Sequence, residues 1–473
     1  MRVQNLIGGD WVDGASTIDV EDPSTGELIG RAPAASPEDV ARALAAAGSV
    51  RQAWASAAPA ERERLVRRVA DELERRRDDL VSTLSREGGR PLREARGEVD
   101  KAITTFRYYG GLAGSLDGRA VGAGTGYRHE TRREPIGTVV AITPWNVPAA
   151  SPARKLAPAM LAGAPIILKP ASATPLTAAL MVQAIADAGA PAGAVQLVAG
   201  SGRTVGGALV SASDIAAVTF TGSTEVGLQL QAQLSGRLVR TQLELGGKNA
   251  AIVLEDADLG RAAEVIVAAA YASAGQQCTA TSRVIVQRSV AGELTDAILD
   301  RVGRLVVGPT DDEATTMGPL IDRAQVEATA GFVDRATAQG AAAVHGGKVL
   351  PGPGHYYAPT VLTGVKPDME IAREEVFGPV LAVLEVDDED EALRVCNDTV
   401  YGLAAAIHTR DLARAQALSE RIDCGVVAVN GPTAGIDLPL PFGGFKLSGT
   451  ATKEHGPESM EFFTRTKLVS WRS

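Results

Sequence analysis

The chain has 473 residues, 45% of them apolar and 22% charged, with a formal net charge of −10. That composition excludes a disordered or fibrous chain, and the acidic balance argues against a general nucleic-acid binder. At about 150 residues per domain, two or three domains are expected.

In chain order, the first 35 residues read as short strands punctuated by Gly8-Gly9, Asp13-Gly14 and Asp22-Pro23. Ser36-Pro37-Glu38 is a helix start, followed by Val40, Leu44 and Ala47 at helical spacing. From Glu61 to Arg86 the residues Leu65, Val69, Leu73, Leu80 and Leu84 make one helical stripe, so the charges between them form a solvated face. Ser115–Pro135, with alternating Tyr127, His129 and Thr131, reads as a hairpin. Beyond residue 136 short β-branched runs alternate with Ala-rich helical stretches such as Pro175–Ala188. Strands are expected at Thr138–Thr143, Pro165–Lys169, Val195–Val198 and Ala217–Thr221. A second set covers Ala251–Leu254, Arg283–Gln287, Val380–Val386, Ala404–His408 and Gly425–Asn430. This alternation predicts two α/β units in series, each with a parallel sheet. The tail Glu461–Trp471 reads as a last strand. With the hairpin it lies outside both units, which suits a subunit interface.

Cys278, Cys396 and Cys424 are too few and too widely spaced for a disulfide framework, and the five histidines lack metal-ligand spacing; no metal site is expected. The N-terminus has no apolar core of signal type. No stretch approaches the roughly 18 to 20 apolar residues of a membrane span. The expected location is cytoplasmic, with no membrane partner.

Four segments carry chemistry. Cys278 sits in the polar run Gly275-Gln276-Gln277-Cys278-Thr279, a setting for a nucleophile rather than a core thiol; Cys396 and Cys424 have apolar neighbours. Glu244 lies between leucines in Leu243-Glu244-Leu245-Gly246-Gly247-Lys248. A buried carboxylate there is either an ion pair with Lys248 or a general base of raised pKa. Asn146, in Pro144-Trp145-Asn146 after a strand, either caps the next helix or donates to an oxyanion. Gly222-Ser223 opens a helix after a strand, either a phosphate site or an ordinary strand-to-helix turn; Lys169-Pro170 supplies either a cation for ribose or phosphate, or a surface residue.

Together these segments, with Glu374-Glu375-Val376-Phe377-Gly378-Pro379 and Pro441-Phe442-Gly443-Gly444, resemble the aldehyde dehydrogenase superfamily over essentially the whole chain. The resemblance implies a Rossmann-like cofactor domain over 1–114 and 136–246, an α/β catalytic domain over 247–445, and a small β oligomerisation element over 115–135 and 458–473. Cys278 matches the nucleophile, and Asn146 the oxyanion donor beside the Cys278 amide. Glu244 matches the base that activates water to hydrolyse a thioester. Glu375 would hold the nicotinamide ribose, with Phe377 near the ring and Trp145 lining the channel. Ser223 and Gly222 would meet pyrophosphate, Gly246 would leave room for the cofactor, and Lys169 would meet the adenosine ribose. Ser172, where strict NAD users of the family often carry Glu, implies that NADP is used, alongside NAD. A homodimer or a homotetramer built as a dimer of dimers is expected, with a small-molecule aldehyde as the substrate.

Arg154 lies eight residues after Asn146, about 80° past two helical turns, so the two are expected to share one side of the site. The Arg154-Lys155 pair resembles succinic semialdehyde dehydrogenases. Val429–Asp437, including Thr433 and Ile436, and the run ending at Arg283 resemble dehydrogenases of 2-oxoglutarate semialdehyde. The expected substrate is therefore a short semialdehyde acid, contacted by Arg154, Ile436 and Phe442. The alternative for Arg154 is an internal salt bridge. Gly444–Thr450 departs from that subgroup, and Val147 and Ala272 imply a roomier pocket, so a bulky, aromatic or aliphatic aldehyde is the alternative substrate. A CoA-acylating enzyme and a non-catalytic binding protein are the remaining rivals; Glu244 argues against the first, and the intact Cys278, Glu244 and Asn146 against the second.

Overall fold

A computed structural model describes residues 1–123 and 126–472. Gly124 and Thr125, within the expected hairpin, and Ser473, at the end of the expected oligomerisation element, lie outside the described residues.

The first sheet holds five parallel strands in the order Val195–Leu197, Ile166–Lys169, Val139–Ile142, Ala217–Thr221, Arg240–Glu244, extended on the Val195 side by Asn5–Ile7 and Asp10–Val12. All four residues of Val139–Ile142 and of Ile166–Lys169 are buried, as expected of strands covered by helices on both faces. The chain walks outward from Val139–Ile142, then returns to build the other side from Ala217–Thr221. Strand order therefore reverses between those two strands, the place where open α/β sheets bind ligands. Asn146 and Ser223 both follow the carboxyl ends of this pair.

The second sheet runs Ala342–His345, Thr360–Thr363, Val380–Val386, Arg283–Gln287, Ala250–Val253, Ala404–His408, Val426–Val429, parallel except for the Ala342–His345 edge. Its apolar core includes Ile252, Ile285, Leu384 and Ile407. The protein is thus α/β, with a doubly wound first sheet and a second parallel-rich sheet. A third, antiparallel sheet joins Thr464–Arg472 to Tyr127–Pro135 and then to Ala120–Ala123.

The expected strands of the two large sheets are found with ends shifted by a residue at most, whereas the expected last strand Glu461–Trp471 is corrected to Thr464–Arg472, its first three residues belonging to the helix Ser459–Phe463. Three strands of the two large sheets were not anticipated, Arg240–Glu244, Ala342–His345 and Thr360–Thr363, nor was the small pair Tyr401–Gly402 and Phe445–Lys446. The single stripe over Glu61–Arg86 is corrected to two helices, Pro59–Arg75 and Arg77–Gly88, meeting at Arg76 with φ −101° and ψ 11°. Leu65, Val69 and Leu73 of the first and Leu80 and Leu84 of the second enter the same core, so the break leaves no mark on the apolar pattern.

Ser36 caps the Pro37–Ser56 helix in a reciprocal box with Asp39. The helices next to the site are capped from afar. Glu98 accepts from the amides of Ala149 and Ala150, at 2.9 and 3.2 Å, at the start of the Ala150–Ala162 helix. Glu87 accepts from Leu176 and Thr177, at 2.9 and 2.7 Å, at the start of Pro175–Asp187. Asn146 is therefore free of capping duty.

Candidate active site

The cleft lies between the carboxyl ends of the first sheet's strands and the amino ends of the second's. Glu244 ends a strand of the first sheet; Cys278 precedes Arg283–Gln287 and Glu375 precedes Val380–Val386 in the second. A cavity of about 280 Å³ brings together Cys278, Asn146, Arg154, Ile436 and Phe442, with Val147, Ala272, Lys101 and His455 also in its wall.

The loop carrying Cys278 is built by strain and by one asparagine. Ser273 and Ala274 hold positive φ of 54° and 53°, a costly conformation for residues with side chains. Gly275 follows at φ 71°, and a Cβ there would collide with the Gly378 carbonyl. Asn249 Nδ2 donates to the carbonyls of Cys278 and Ala280, both at 2.8 Å, while its Oδ1 accepts from the Ala404 amide. Among the described residues no acceptor takes the Cys278 amide. Asn146 Nδ2 donates once, to the Gln276 carbonyl at 2.8 Å, which leaves its second N–H free. The Asn146 backbone carbonyl accepts from the Arg90 guanidinium. The Cys278 thiol is half-buried, and desolvation pushes its pKa up to about 12, opposed chiefly by the charge of Arg154.

Glu244 is buried, and neither carboxylate oxygen has a hydrogen-bond partner. Burial, then the nearby Glu454 carboxylate, drives its pKa well above the ordinary value. It makes no ion pair with Lys248, which is itself buried and pushed down to about 7 by desolvation. Gly443 leaves the space that Glu244 occupies; a Cβ there would approach Oε1 to 2.7 Å. Glu454 pairs instead with Lys155, whose ammonium also donates to Thr219 at 2.9 Å.

The other side of the cleft gathers the residues expected to hold a cofactor. Trp145 and Phe377 meet edge to face at 5.5 Å and 88°. Glu375 Oε1 accepts from the Gly247 amide at 2.9 Å, and burial raises its pKa to about 7. A Cβ on Gly246 would collide with that carboxylate, so glycine is required there. Gly222 donates to the Glu244 carbonyl at 3.1 Å; Ser223 caps the Thr224–Leu234 helix. Lys169 is buried rather than a surface residue. Its ammonium donates to the Pro170 carbonyl at 2.9 Å, and desolvation lowers its pKa to about 8. Ser172 donates to the Gly200 carbonyl at 3.2 Å. A buried ammonium at a strand end, a helix N-terminus and a glycine cradle beside a carboxylate suit a dinucleotide.

Arg154 and Lys101 stand apart from Arg90, the third arginine or lysine of this cavity, which pairs with Glu94 and Glu98. Among the described residues no carboxylate lies within ion-pair distance of either. Arg154 Nε is buried without a partner, and the guanidinium lies 5.8 Å from the Phe442 ring centroid. The internal salt bridge considered for Arg154 is absent among the described residues. Sequence reasoning missed Lys101, and also missed Glu94 and Glu98. These three share one face of the Leu92–Tyr109 helix at i, i+4 and i+7 spacing, a polar stripe that could have been singled out.

An α/β fold with a cysteine, a buried carboxylate and a dinucleotide-type cradle at one cleft defines a two-substrate dehydrogenase. The family model described as "Aldehyde dehydrogenase family" matches residues 11–469, and the chain belongs to that family. It is 40% identical to an alpha-ketoglutarate semialdehyde dehydrogenase of Haloferax volcanii, with 98% of each chain covered. It superposes with a TM-score of 0.97 on an NAD-dependent aldehyde dehydrogenase from Sinorhizobium meliloti, 36% identical, covering 100% of this chain and 95% of that one. An E. coli NADP-dependent enzyme gives the same TM-score at 34% identity, covering 100% and 98%. The protein is accordingly an NAD(P)-dependent aldehyde dehydrogenase. Among the described residues no helix is long and apolar enough to cross a membrane.

Proposed function

We propose that the protein oxidises a short semialdehyde acid, with 2-oxoglutarate semialdehyde (2,5-dioxopentanoate) as the best fit, to the corresponding dicarboxylate. The observation that carries this reading is the unpaired Arg154 guanidinium in the same cavity as Cys278. A guanidinium left without a carboxylate in a half-buried wall suits an incoming carboxylate, held by two parallel N–H bonds. The name of the Haloferax volcanii relative points the same way.

In this mechanism Glu244, its carboxylate unencumbered and its proton affinity raised, takes the Cys278 thiol proton. The Cys278 sulfur then bonds to the aldehyde carbon. The free N–H of Asn146 and the Cys278 amide receive the oxyanion, and loss of one such donor costs about 2.7–4 kcal/mol in barrier. A bound nicotinamide cofactor supplies the two-electron oxidation that turns this adduct into a Cys278 thioester. Glu244 passes the thiol proton on to solvent, then draws a proton from a water molecule; that water attacks the thioester carbon, and the Cys278 sulfur leaves as thiolate. Trp145, Phe377, Glu375, Gly246, Gly222, Ser223 and Lys169 hold the cofactor. The uncharged Ser172 beside Lys169 tolerates a 2′-phosphate, so NADP serves alongside NAD.

The third sheet ends in the nine-residue edge strand Thr464–Arg472, with Leu468 and Trp471 exposed. An open edge of that length is a pairing surface, which supports a homodimer or homotetramer. The location assigned is the cytoplasm.

The test compares 5-oxopentanoate with pentanal, equal in length and different only in the carboxylate. A preference of about a hundredfold in kcat/KM for the acid is expected. Equal rates would sink the semialdehyde-acid reading and leave a dehydrogenase of neutral aldehydes, the alternative favoured by the small side chains of Val147 and Ala272.

A further inference from the structure

The semialdehyde-acid reading employs one of the two unpaired cations in the cavity. Lys101 projects from the Leu92–Tyr109 helix into the same wall. Its ammonium has a single long contact, to the Ile436 carbonyl at 3.4 Å. The charged and titratable groups around it are Arg154, Asp437, Glu98 and Cys278, with His455 also lining the cavity. Glu98 is already engaged, by Arg90 and by the amides of Ala149 and Ala150. His455 is held neutral by burial and by the cations around it. Two like charges that face one cavity repel each other, and Arg154 lowers the proton affinity of Lys101. Such a pair persists at lower cost when a ligand bridges it.

The two heads differ in shape. A guanidinium is a flat fork that matches both oxygens of a carboxylate. An ammonium is a compact donor that matches one oxygen. A plain ω-aldehyde acid offers the fork its carboxylate but presents a methylene next to it. A 2-oxo acid presents a second acceptor oxygen on the adjacent carbon.

Resting on the semialdehyde-acid reading, we infer that Lys101 is the specificity-determining residue for a 2-oxo acid terminus. Its ammonium donates to the 2-oxo oxygen while Arg154 takes the carboxylate. A methylene in that place would leave a partly buried ammonium facing carbon, the kind of mismatch that rejects an analogue strongly.

The experiment measures kcat/KM for 2,5-dioxopentanoate, 5-oxopentanoate and pentanal on the wild-type chain, Lys101→Met, Lys101→Arg and Arg154→Met. Each preference is a ratio within one variant, so a general loss of activity cancels. The wild type is expected to prefer 2,5-dioxopentanoate over 5-oxopentanoate by about tenfold or more. Lys101→Met removes that preference and keeps the preference of 5-oxopentanoate over pentanal. Lys101→Arg restores part of it, and Arg154→Met abolishes the acid-over-neutral preference. Calorimetric binding of 2-oxoglutarate and of glutarate, read on the same chains without turnover, should follow the same order. An unchanged 2-oxo preference in Lys101→Met overturns the role of Lys101. Failure of the wild type to prefer 5-oxopentanoate over pentanal is a separate result, and overturns the reading beneath it.

Discussion

Two adjacent cations of one helix are treated in opposite ways. Lys155 is 1% exposed in its side chain, paired with the buried Glu454 and bonded to Thr219. Arg154 turns to the cavity, lies against the Phe442 ring and pairs with no carboxylate among the described residues. Behind Glu244, Lys155 and Glu454 satisfy each other; at the substrate wall Arg154 and Lys101 have no carboxylate partner among the described residues. The contrast separates charge that holds the fold from charge that waits for a ligand. Removing the first kind should cost stability, and removing the second should cost recognition.

The sharpest break concerns the chemistry that both regions serve. Cys278→Ala should lower turnover by about 10⁴-fold or more, because among the described residues no other thiol lines the cavity to form the thioester. Glu244→Gln should behave differently from Cys278→Ala. Here a single equivalent of reduced cofactor forms at most, and steady-state turnover falls by about 10²–10⁴-fold. Rapid-mixing absorbance distinguishes the two, and unimpaired turnover in Glu244→Gln would remove it from the mechanism.

Next come the paired substitutions on the helix itself. Lys155→Met leaves Glu454 buried without its counter-charge, and should destabilise the protein by about 3–5 kcal/mol in denaturant unfolding. Arg154→Met removes a charge with no internal partner, so stability should stay within about 0.5 kcal/mol of wild type or rise. Its acid-over-neutral preference should fall about a hundredfold. Equal destabilisation by both substitutions would erase the distinction between the two regions. A smaller effect tests the cofactor side. Ser172→Glu should cut the use of NADP relative to NAD by about tenfold, because a carboxylate near the 2′-phosphate repels it across a partly screened gap.

The same contrast explains what the sequence revealed and what it hid. Buried apolar strands such as Val380–Val386 announce themselves by composition, and so do loop motifs around Cys278 and Asn146. Arg154 was legible because it lies one short helical walk from Asn146. Lys101 was not, because it is 45 positions upstream of Asn146, in a charged stretch between Arg86 and Ser115 that carries no motif. Only the packing of Leu92–Tyr109 against Ala150–Ala162 turns that polar stripe toward Cys278. The strand Arg240–Glu244 was hidden for a related reason. It is an edge strand whose first two residues are half-buried Arg and Thr, so its pattern lacks the apolar run of its neighbours. Glu244 itself drew attention as a carboxylate among leucines. That it stands apart from Lys248 is a tertiary fact, set by the space at Gly443.

The two kinds of charge should also answer differently to pH. Burial, with Arg154 adding to it, brings the Lys101 ammonium down to about 8 from its ordinary 10.5. Below that value the ammonium is present; as pH rises through about 8 it is lost, and with it the bond to a 2-oxo oxygen. The preference for 2,5-dioxopentanoate over 5-oxopentanoate should therefore shrink between pH 7 and pH 9. The Cys278 thiol, pushed up to about 12, does not titrate in that window, and a change in its reactivity would in any case act on both substrates alike. Lys101→Arg, whose guanidinium stays protonated, should flatten the profile. A wild-type ratio that is level from pH 7 to pH 9 would place the amine outside substrate recognition, and would leave Arg154 as the one open charge that the ligand meets.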